Sequence, residues 1–448
     1  MKKLLICTNL FILSMGLYKN IAAQLSLSAQ LRTRTELRDG QGAPLPKGAD
    51  PAFFTSQRAR LNVGYNMYRV KFGLTLQDVR VWGQDISTIN RFTTADNNAL
   101  MMHEAWAEIL LTDTTVKNKA LSLKIGRQEL NYDDQRLLGG LDWLQQARRH
   151  DAAVLKFETK AWMLHGGAAF NQNRENNSGT IYNSNPAGNY TSTTNGGSMY
   201  KSMEYLYAGR KLKSGNASFL FFTDQFSKYH MDTATNVKAY EQGSWARATT
   251  GFYINNTFNK LGLTASAYYQ FGKTAAAQKL SSFLLSASAQ YVVSKKLSAA
   301  AGVDYTSGGT NGNTSNTFDP LYGTPHKFWG MMDYFYVASP FGKNGLVDYY
   351  IKTKYKPCDK FLLFADFHQF NSAQSISTMN NNKKNFGQEL DIAGSYTLTK
   401  QINIEGGFAH FFATSLLTSP AVKNTPDART NANWAFVMIN IKPELLFK

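Results

Sequence analysis

From Leu25 to Arg38 the chain reads LSLSAQLRTRTELR, in which Leu25, Leu27, Ala29, Leu31 and Leu37 alternate with Ser26, Ser28, Gln30, Arg32, Arg34, Glu36 and Arg38. A period of two is that of a β-strand. One face is apolar and the other carries three arginines. An Arg or Lys facing hydrocarbon at the bilayer midplane costs roughly 2 to 4 kcal/mol, so such a strand fits a wall with lipid on one side and water on the other.

The chain opens with Lys2 and Lys3, an apolar run from Leu4 to Leu17, and Ala22 and Ala23 before Gln24. This pattern predicts a secretory signal peptide over residues 1–23, cut after Ala23, although Ile21 departs from the usual small residue. The apolar run is too short for a membrane anchor and is followed by Lys19. Cys7 would leave with that peptide and only Cys358 would remain, which excludes a disulfide framework or a cysteine-based zinc site. No later segment has the apolar length of a transmembrane helix. Membrane association therefore has to use strands.

Lys+Arg number 48 against Asp+Glu 31, a formal net charge of +17, and aromatics make up 13% of the chain. A basic, aromatic-rich exported chain without membrane-length helices points to an outer-membrane barrel. A periplasmic or surface β-protein is the alternative.

Connections sharpen the choice, because short and long ones take turns. Short breaks fall near Met67-Tyr68, Thr112 to Ala120, Thr159-Lys160, Ser214-Gly215, Asn259-Lys260, Lys295-Lys296, Cys358-Asp359 and Lys400. Between them lie polar stretches at 39–52, 83–102, 131–147, 171–201, 230–243, 274–280, 309–344, 371–385 and 414–431. Eight short and nine long connections predict about 18 strands, with periplasmic turns and extracellular loops, over residues 24–448. The fold class expected is all-β, a transmembrane antiparallel up-and-down barrel. Phe447, one residue from the end after an amphipathic strand at 433–441, is similar to a barrel-assembly signal.

The period also assigns faces. Leu261, Leu263, Ala265, Ala267, Tyr269 and Phe271 point outward, and Phe283 to Val293 repeat the pattern in the next strand. Arg32, Arg34, Arg38, Arg58 and Arg60 point inward, as do Lys352, Lys354 and Lys356 and the acids Glu36, Asp348, Asp366, Glu389, Asp391 and Glu405. A barrel of this size is too wide for wall side chains to fill, so its interior holds water or folded-in loops. The early wall is basic and the late wall acidic. They either pair as structural ion pairs or set up a field across the lumen. The densest charge lies in GRQELNYDDQRLLGGLDWLQQARRHD, residues 126–151.

Enzyme readings fare poorly. Asp133 and Asp134 are adjacent, a poor spacing for a carboxylate pair. His103-Glu104 has no second histidine at ligand spacing, there is no Gly-rich phosphate loop, and no cofactor motif is present. The positive charge alternates along strands and is not concentrated on a helix or tail, which argues against nucleic acid.

The series RTRTELR (32–38), SQRARL (56–61), QDVRVWG (77–83), HEAW (103–106), GRQEL (126–130), YDDQRLLG (132–139), DWLQQARRHD (142–151) and HKFWG (326–330) resembles the alginate export family of outer-membrane channels. The match is dense from Arg32 to Asp151 and sparse afterwards. The resemblance implies a monomeric 18-stranded barrel in outer-membrane lipid, with an arginine-lined, anion-selective pore for an acidic polysaccharide or oligosaccharide moving outward. It implies a constriction built from Arg58, Arg60, Asp78, Arg80, Arg127, Asp134, Arg136, Arg148, Arg149 and Asp151, to which the inward register adds Arg32, Arg34, Lys352 and Lys354. The HKFWG segment is expected to fold into the lumen. A periplasmic export partner, a nutrient-uptake porin for small anions or sugars, and an outer-membrane enzyme or adhesin remain alternatives.

Overall fold

The computed structural model describes residues 24–83, 100–172, 175, 177–179, 199–337, 341–378 and 381–447. The expected signal peptide lies outside these residues, as do the middle parts of the connections at 83–102 and 171–201.

The described residues form one closed antiparallel barrel of 18 strands. In chain order these are β1 (Gln24–Asp39), β2 (Ala52–Met67), β3 (Val70–Val81), β4 (Met101–Leu110), β5 (Lys119–Gln128), β6 (His150–Thr159), β7 (Trp162–Phe170), β8 (Ser202–Leu212) and β9 (Gly215–Met231). They continue with β10 (Lys238–Phe258), β11 (Leu261–Lys273), β12 (Lys279–Val292), β13 (Leu297–Thr306), β14 (Leu346–Cys358), β15 (Phe361–Thr378), β16 (Asn381–Thr397), β17 (Ile402–Ala413) and β18 (Asn431–Ile441).

Each strand pairs with its neighbours in sequence. The seam closes where β18 pairs with β1, Leu31 opposite Ile441 and Arg38 opposite Trp434. Beyond Pro443 the chain runs on in the same direction as Glu444–Phe447 and pairs with Ser26 to Ser28 of β1. Closure matters because the bilayer core offers no partner for an unpaired strand edge. No helix among the described residues is long and apolar enough to cross a membrane.

The alternation predicted for β1, β11, β12 and β14 is observed. In β11, Leu261, Leu263, Ala265, Ala267, Tyr269 and Phe271 are exposed on the outer face, while Ser266, Tyr268 and Gln270 are buried inward. Two predicted loops are shorter than their polar sequences indicate. Residues 230–243 are largely taken up by the ends of β9 and β10, which leave a tip at 232–237, and 371–385 by the ends of β15 and β16. Polar side chains do not prevent ladder pairing, because the backbone hydrogen bonds are satisfied whatever faces water.

Two loops occupy the interior. The first, residues 129–149, joins β5 to β6, and the second, residues 307–337, begins the connection from β13 to β14. They carry buried Leu137, Leu138, Trp329, Met332, Tyr334 and Phe335 against wall residues Phe370, Phe411 and Trp434. Tyr334 stacks on Phe411 with ring centroids 4.1 Å apart. The HKFWG segment is inside the barrel, as its sequence resemblance predicted.

Candidate pore-lining site

The inner face of β1 and β2 is basic because even-numbered positions of both strands point inward, and Arg32 lies opposite Arg58 in the register. These guanidinium groups converge on the first inward loop. Arg58 Nη1 donates to Asp142 Oδ1 at 2.8 Å, and Arg32 Nη1 donates to the Asp142 carbonyl at 2.8 Å. Arg60 completes the node at 3.5 Å from Asp142 Oδ1 and donates through Nε to Gln77 at 2.6 Å. Arg32 Nε donates to Gln145 at 2.9 Å. Arg34 donates to Glu36 and to the Trp143 carbonyl, each at 2.8 Å, and lies 4.3 Å over the Trp143 ring.

Three cations around one carboxylate leave a local excess of positive charge. The Arg58 side chain is 1% exposed and that of Asp142 is 58% exposed, so the node reaches the open lumen through the acid. Partial burial works against ionisation of Asp142, but Arg58, Arg32 and Arg60 outweigh it and hold the carboxyl below its ordinary range.

The loop they grip is bent. Asp133, Gln135, Leu141 and Ala147 all have left-handed φ, at 51°, 69°, 49° and 51°. Such residues cost on the order of 1–3 kcal/mol each and persist only where their surroundings over-determine them. Asp133 accepts hydrogen bonds from Tyr207 and Ser218, each at 2.8 Å, and burial pushes its carboxyl up to about 6. Asp134 turns to Arg136 at 3.4 Å. The adjacent acids serve different contacts and form no catalytic pair.

The acidic wall holds the second inward loop in the same way. Glu389 and Asp391 on β16 accept from the backbone N–H groups of Met332 and Met331 at 2.8 and 3.2 Å. Asp304 on β13 accepts from Arg136 at 2.6 Å, while the Arg136 guanidinium sits 3.9 Å over Phe328. The two loops bind each other as well. Gly139 N–H donates to Tyr322 O at 3.0 Å and Thr324 N–H to Gln135 O at 2.8 Å. A Cβ at Gly323 would lie 1.9 Å from Arg136 O, so only glycine allows that approach. Arg148 donates to the Gly139 and Gly323 carbonyls from full burial. That burial pushes it down to about 9, still protonated at neutral pH.

Four predicted pore residues face the other way. Gln77 and Gln128 point inward, so their neighbours Asp78 and Arg127 point outward, together with Arg80 and Asp151. The outward side chains form two self-contained forks, Arg127 with Asp151 at 2.8 Å for both bonds and Arg80 with Asp78 at 2.7 and 2.8 Å. The period-two rule places them there, and the motif resemblance alone had put them in the constriction. Arg149 is half-buried at the return of the first loop into β6. Lys352 does face the lumen, paired with Asp366 at 3.1 Å, and so does Lys354, 5.5 Å over the Phe364 ring.

Sequence reasoning missed Arg247, which bridges Asp224 on the neighbouring strand and Asp319 of the second loop, the latter at 2.7 Å. Both wall residues occupy inward positions opposite each other in the register, a signal that counting alternate residues along β9 and β10 makes visible. It also missed the stack of Trp143 on His326, centroids 4.3 Å apart, which joins loops 183 residues apart and has no local signature. Below the loops a cavity of about 450 Å³ remains between the inner wall of β10 to β14 and Asp134, Arg136, Lys327 and Phe328.

The family model described as "Alginate export" matches residues 23–435. The chain belongs to the alginate export family. As a member with this barrel, it is a channel-type protein of the Gram-negative outer membrane. No curated protein sequence matches it. Among solved structures, OccAB4 of Acinetobacter baumannii is similar at a TM-score of 0.62 and 10% identity, covering 94% of this chain and 98% of its own. Pseudomonas aeruginosa OccK9 (OpdG) follows at 0.58 and 13%, and OccK8 (OprE) at 0.57 and 12%, each with coverages of 94% and 98%. These TM-scores show that the chain shares the barrel fold of those structures.

Proposed function

We propose that this protein conducts an anionic polysaccharide or oligosaccharide, of uronate type, outward across the membrane by passive, anion-selective diffusion. The observation that carries the reading is the node at Asp142, where three wall arginines meet a single lumen-exposed carboxylate. Its residual positive charge attracts anions, while the existing hydrogen bonds of Arg32, Arg58 and Arg60 limit how tightly any one anion is held. Conduction needs such weak, repeated sites. Lys352 and Lys354 extend the basic lining toward the periplasm. The chain acts as a monomer after removal of residues 1–23, without a cofactor, and a periplasmic export partner can dock below it.

A second reading, uptake of small anions or sugars, is favoured by the two inward loops, which narrow the lumen to less than the barrel width. Planar-bilayer recordings separate the two. Export of a uronate polymer predicts anion preference and current block by oligouronates but not by neutral oligosaccharides of equal length. A cation-preferring pore, or one indifferent to uronates, defeats the first reading.

A further inference from the structure

The outer face of the barrel carries a pair of charges that has no counter-charge among the described residues. Lys273, at the extracellular end of β11, lies directly opposite Lys279, at the start of β12. Their inward neighbours Gly272 and Leu280 are paired in the same register, Leu280 is buried, and both lysines are exposed on the outward side. Like charges directly opposite across a ladder destabilise it. Among the described residues neither lysine has an ion pair or a side-chain hydrogen bond. The contrast with the forks Arg80–Asp78 and Arg127–Asp151 is direct, because there the outward cations are neutralised within the wall.

The depth of the pair identifies what neutralises it. A transmembrane strand needs about 9–11 residues to cross the hydrocarbon. The outward apolar series of β11 runs from Leu261 to Phe271, and Lys273 is the next outward position. Tyr269 and Phe271 stack at 5.7 Å and Phe283 stacks on Tyr305 at 5.5 Å, forming an aromatic band just below the lysines. Such bands mark the boundary between hydrocarbon and headgroups. Two ammonium groups immediately above that boundary, facing lipid and away from the lumen, stand at the level of the headgroup phosphates of the outer leaflet.

We propose that Lys273 and Lys279 together form a docking site for a phosphate of an outer-leaflet glycolipid headgroup, with the aromatic band below them seating its acyl chains. Each ammonium offers three donors and no acceptor, which suits a phosphate shared between two point charges.

The full-length protein, purified in detergent, is titrated with bis-phosphorylated lipid A or its dephosphorylated counterpart, and bound lipid is counted by native mass spectrometry. Lys273→Gln with Lys279→Gln is expected to lower retained lipid A at least threefold, and the double arginine variant to keep it. Heat-modifiable migration and anion selectivity stay as in the parent, because neither lysine faces the lumen. Equal retention by the glutamine variant, or equal binding of dephosphorylated lipid A by the parent, overturns the proposal. Loss of lipid together with loss of heat-modifiable migration calls for the single variants, and unchanged retention by both single variants also overturns it.

Discussion

Arg58 Nη1 lies 2.8 Å from Asp142 Oδ1 and thereby ties a fully buried wall arginine to a loop 84 residues farther along the chain. The same carboxylate is also within ion-pair distance of Arg32 and Arg60. One acid thus fixes the first inward loop to two strands of the basic wall. The pore's charge and its width depend on the same contact.

Asp142→Asn keeps the shape and removes the charge. Losing one partner of a buried pair costs roughly 3–5 kcal/mol, and water access to Asp142 reduces that to about 1–3 kcal/mol by weakening the Coulomb term. The barrel should keep its heat-modifiable migration, while the loop is cut faster in limited proteolysis. Single-channel conductance and anion preference should both rise, because three arginines lose their counter-charge. Unchanged conductance would show that the loop does not depend on this node.

The same contact fixes a pH window. The three arginines depress the Asp142 carboxyl below its ordinary value, which is about 3.9 in unfolded chains. A depressed acid contributes stability that is present above the unfolded value and is lost as pH falls through the folded one. Conductance should therefore stay level from pH 8 down to about 4.5 and step upward only below about 4. The step should be absent in Asp142→Asn. A step centred between pH 5 and 7 in the parent would assign the gate to another group.

Arg127→Ala and Arg148→Ala should behave differently although both arginines stand in the dense charge cluster. Arg127 faces outward and is neutralised by Asp151. Its loss should leave ion selectivity unchanged, because neither member of the pair faces the lumen. Arg148 is buried and holds the carbonyls of both inward loops. Its loss leaves those acceptors without a donor, at about 1–3 kcal/mol each, and should raise conductance and speed proteolysis of residues 129–149. Reversal potentials in a salt gradient and digestion time courses read the two effects separately.

These cases show which part of the molecule was legible in the sequence. A wall with lipid outside and water inside imposes strict alternation, so strand number, inward arginines and inward acids follow from counting along each strand. Arg127 and Asp151 were misplaced where a motif overrode that count, although Gln128 and His150 beside them carry the inward register. Loop polarity misled at 230–243, since polar residues outside the membrane pair into ribbons as readily as they form coil. The partners of Arg136 and Arg148 were out of reach for another reason. Asp304 lies 168 residues from Arg136 and Gly323 175 residues from Arg148. No local pattern specifies which wall a folded-in loop meets.

Lys423 supplies a second pH dependence, of the same sign as that of Asp142 but in a higher window. It lies in the loop between β17 and β18 and is buried, with Nζ donating to Gly42 O at 2.9 Å and also to Tyr334 O. The amine thus joins the β1–β2 loop to the second inward loop. Burial pushes it down to about 7, against the smaller opposing effect of Asp333. A neutral amine has two N–H groups, enough for both carbonyls. Between about pH 7 and the unfolded lysine value near 10.4, the unfolded chain binds one more proton than the folded one. Stability therefore rises with pH across that window and is flat below it. Amide exchange at 40–49 and 419–429, corrected for intrinsic rates, should show at least tenfold more protection at pH 9 than at pH 6, or about 1.4 kcal/mol. Lys423→Met should abolish the dependence and lower protection at both pH values, because two buried carbonyls lose their donor. Persistence of the pH effect in that variant would place the titrating group elsewhere.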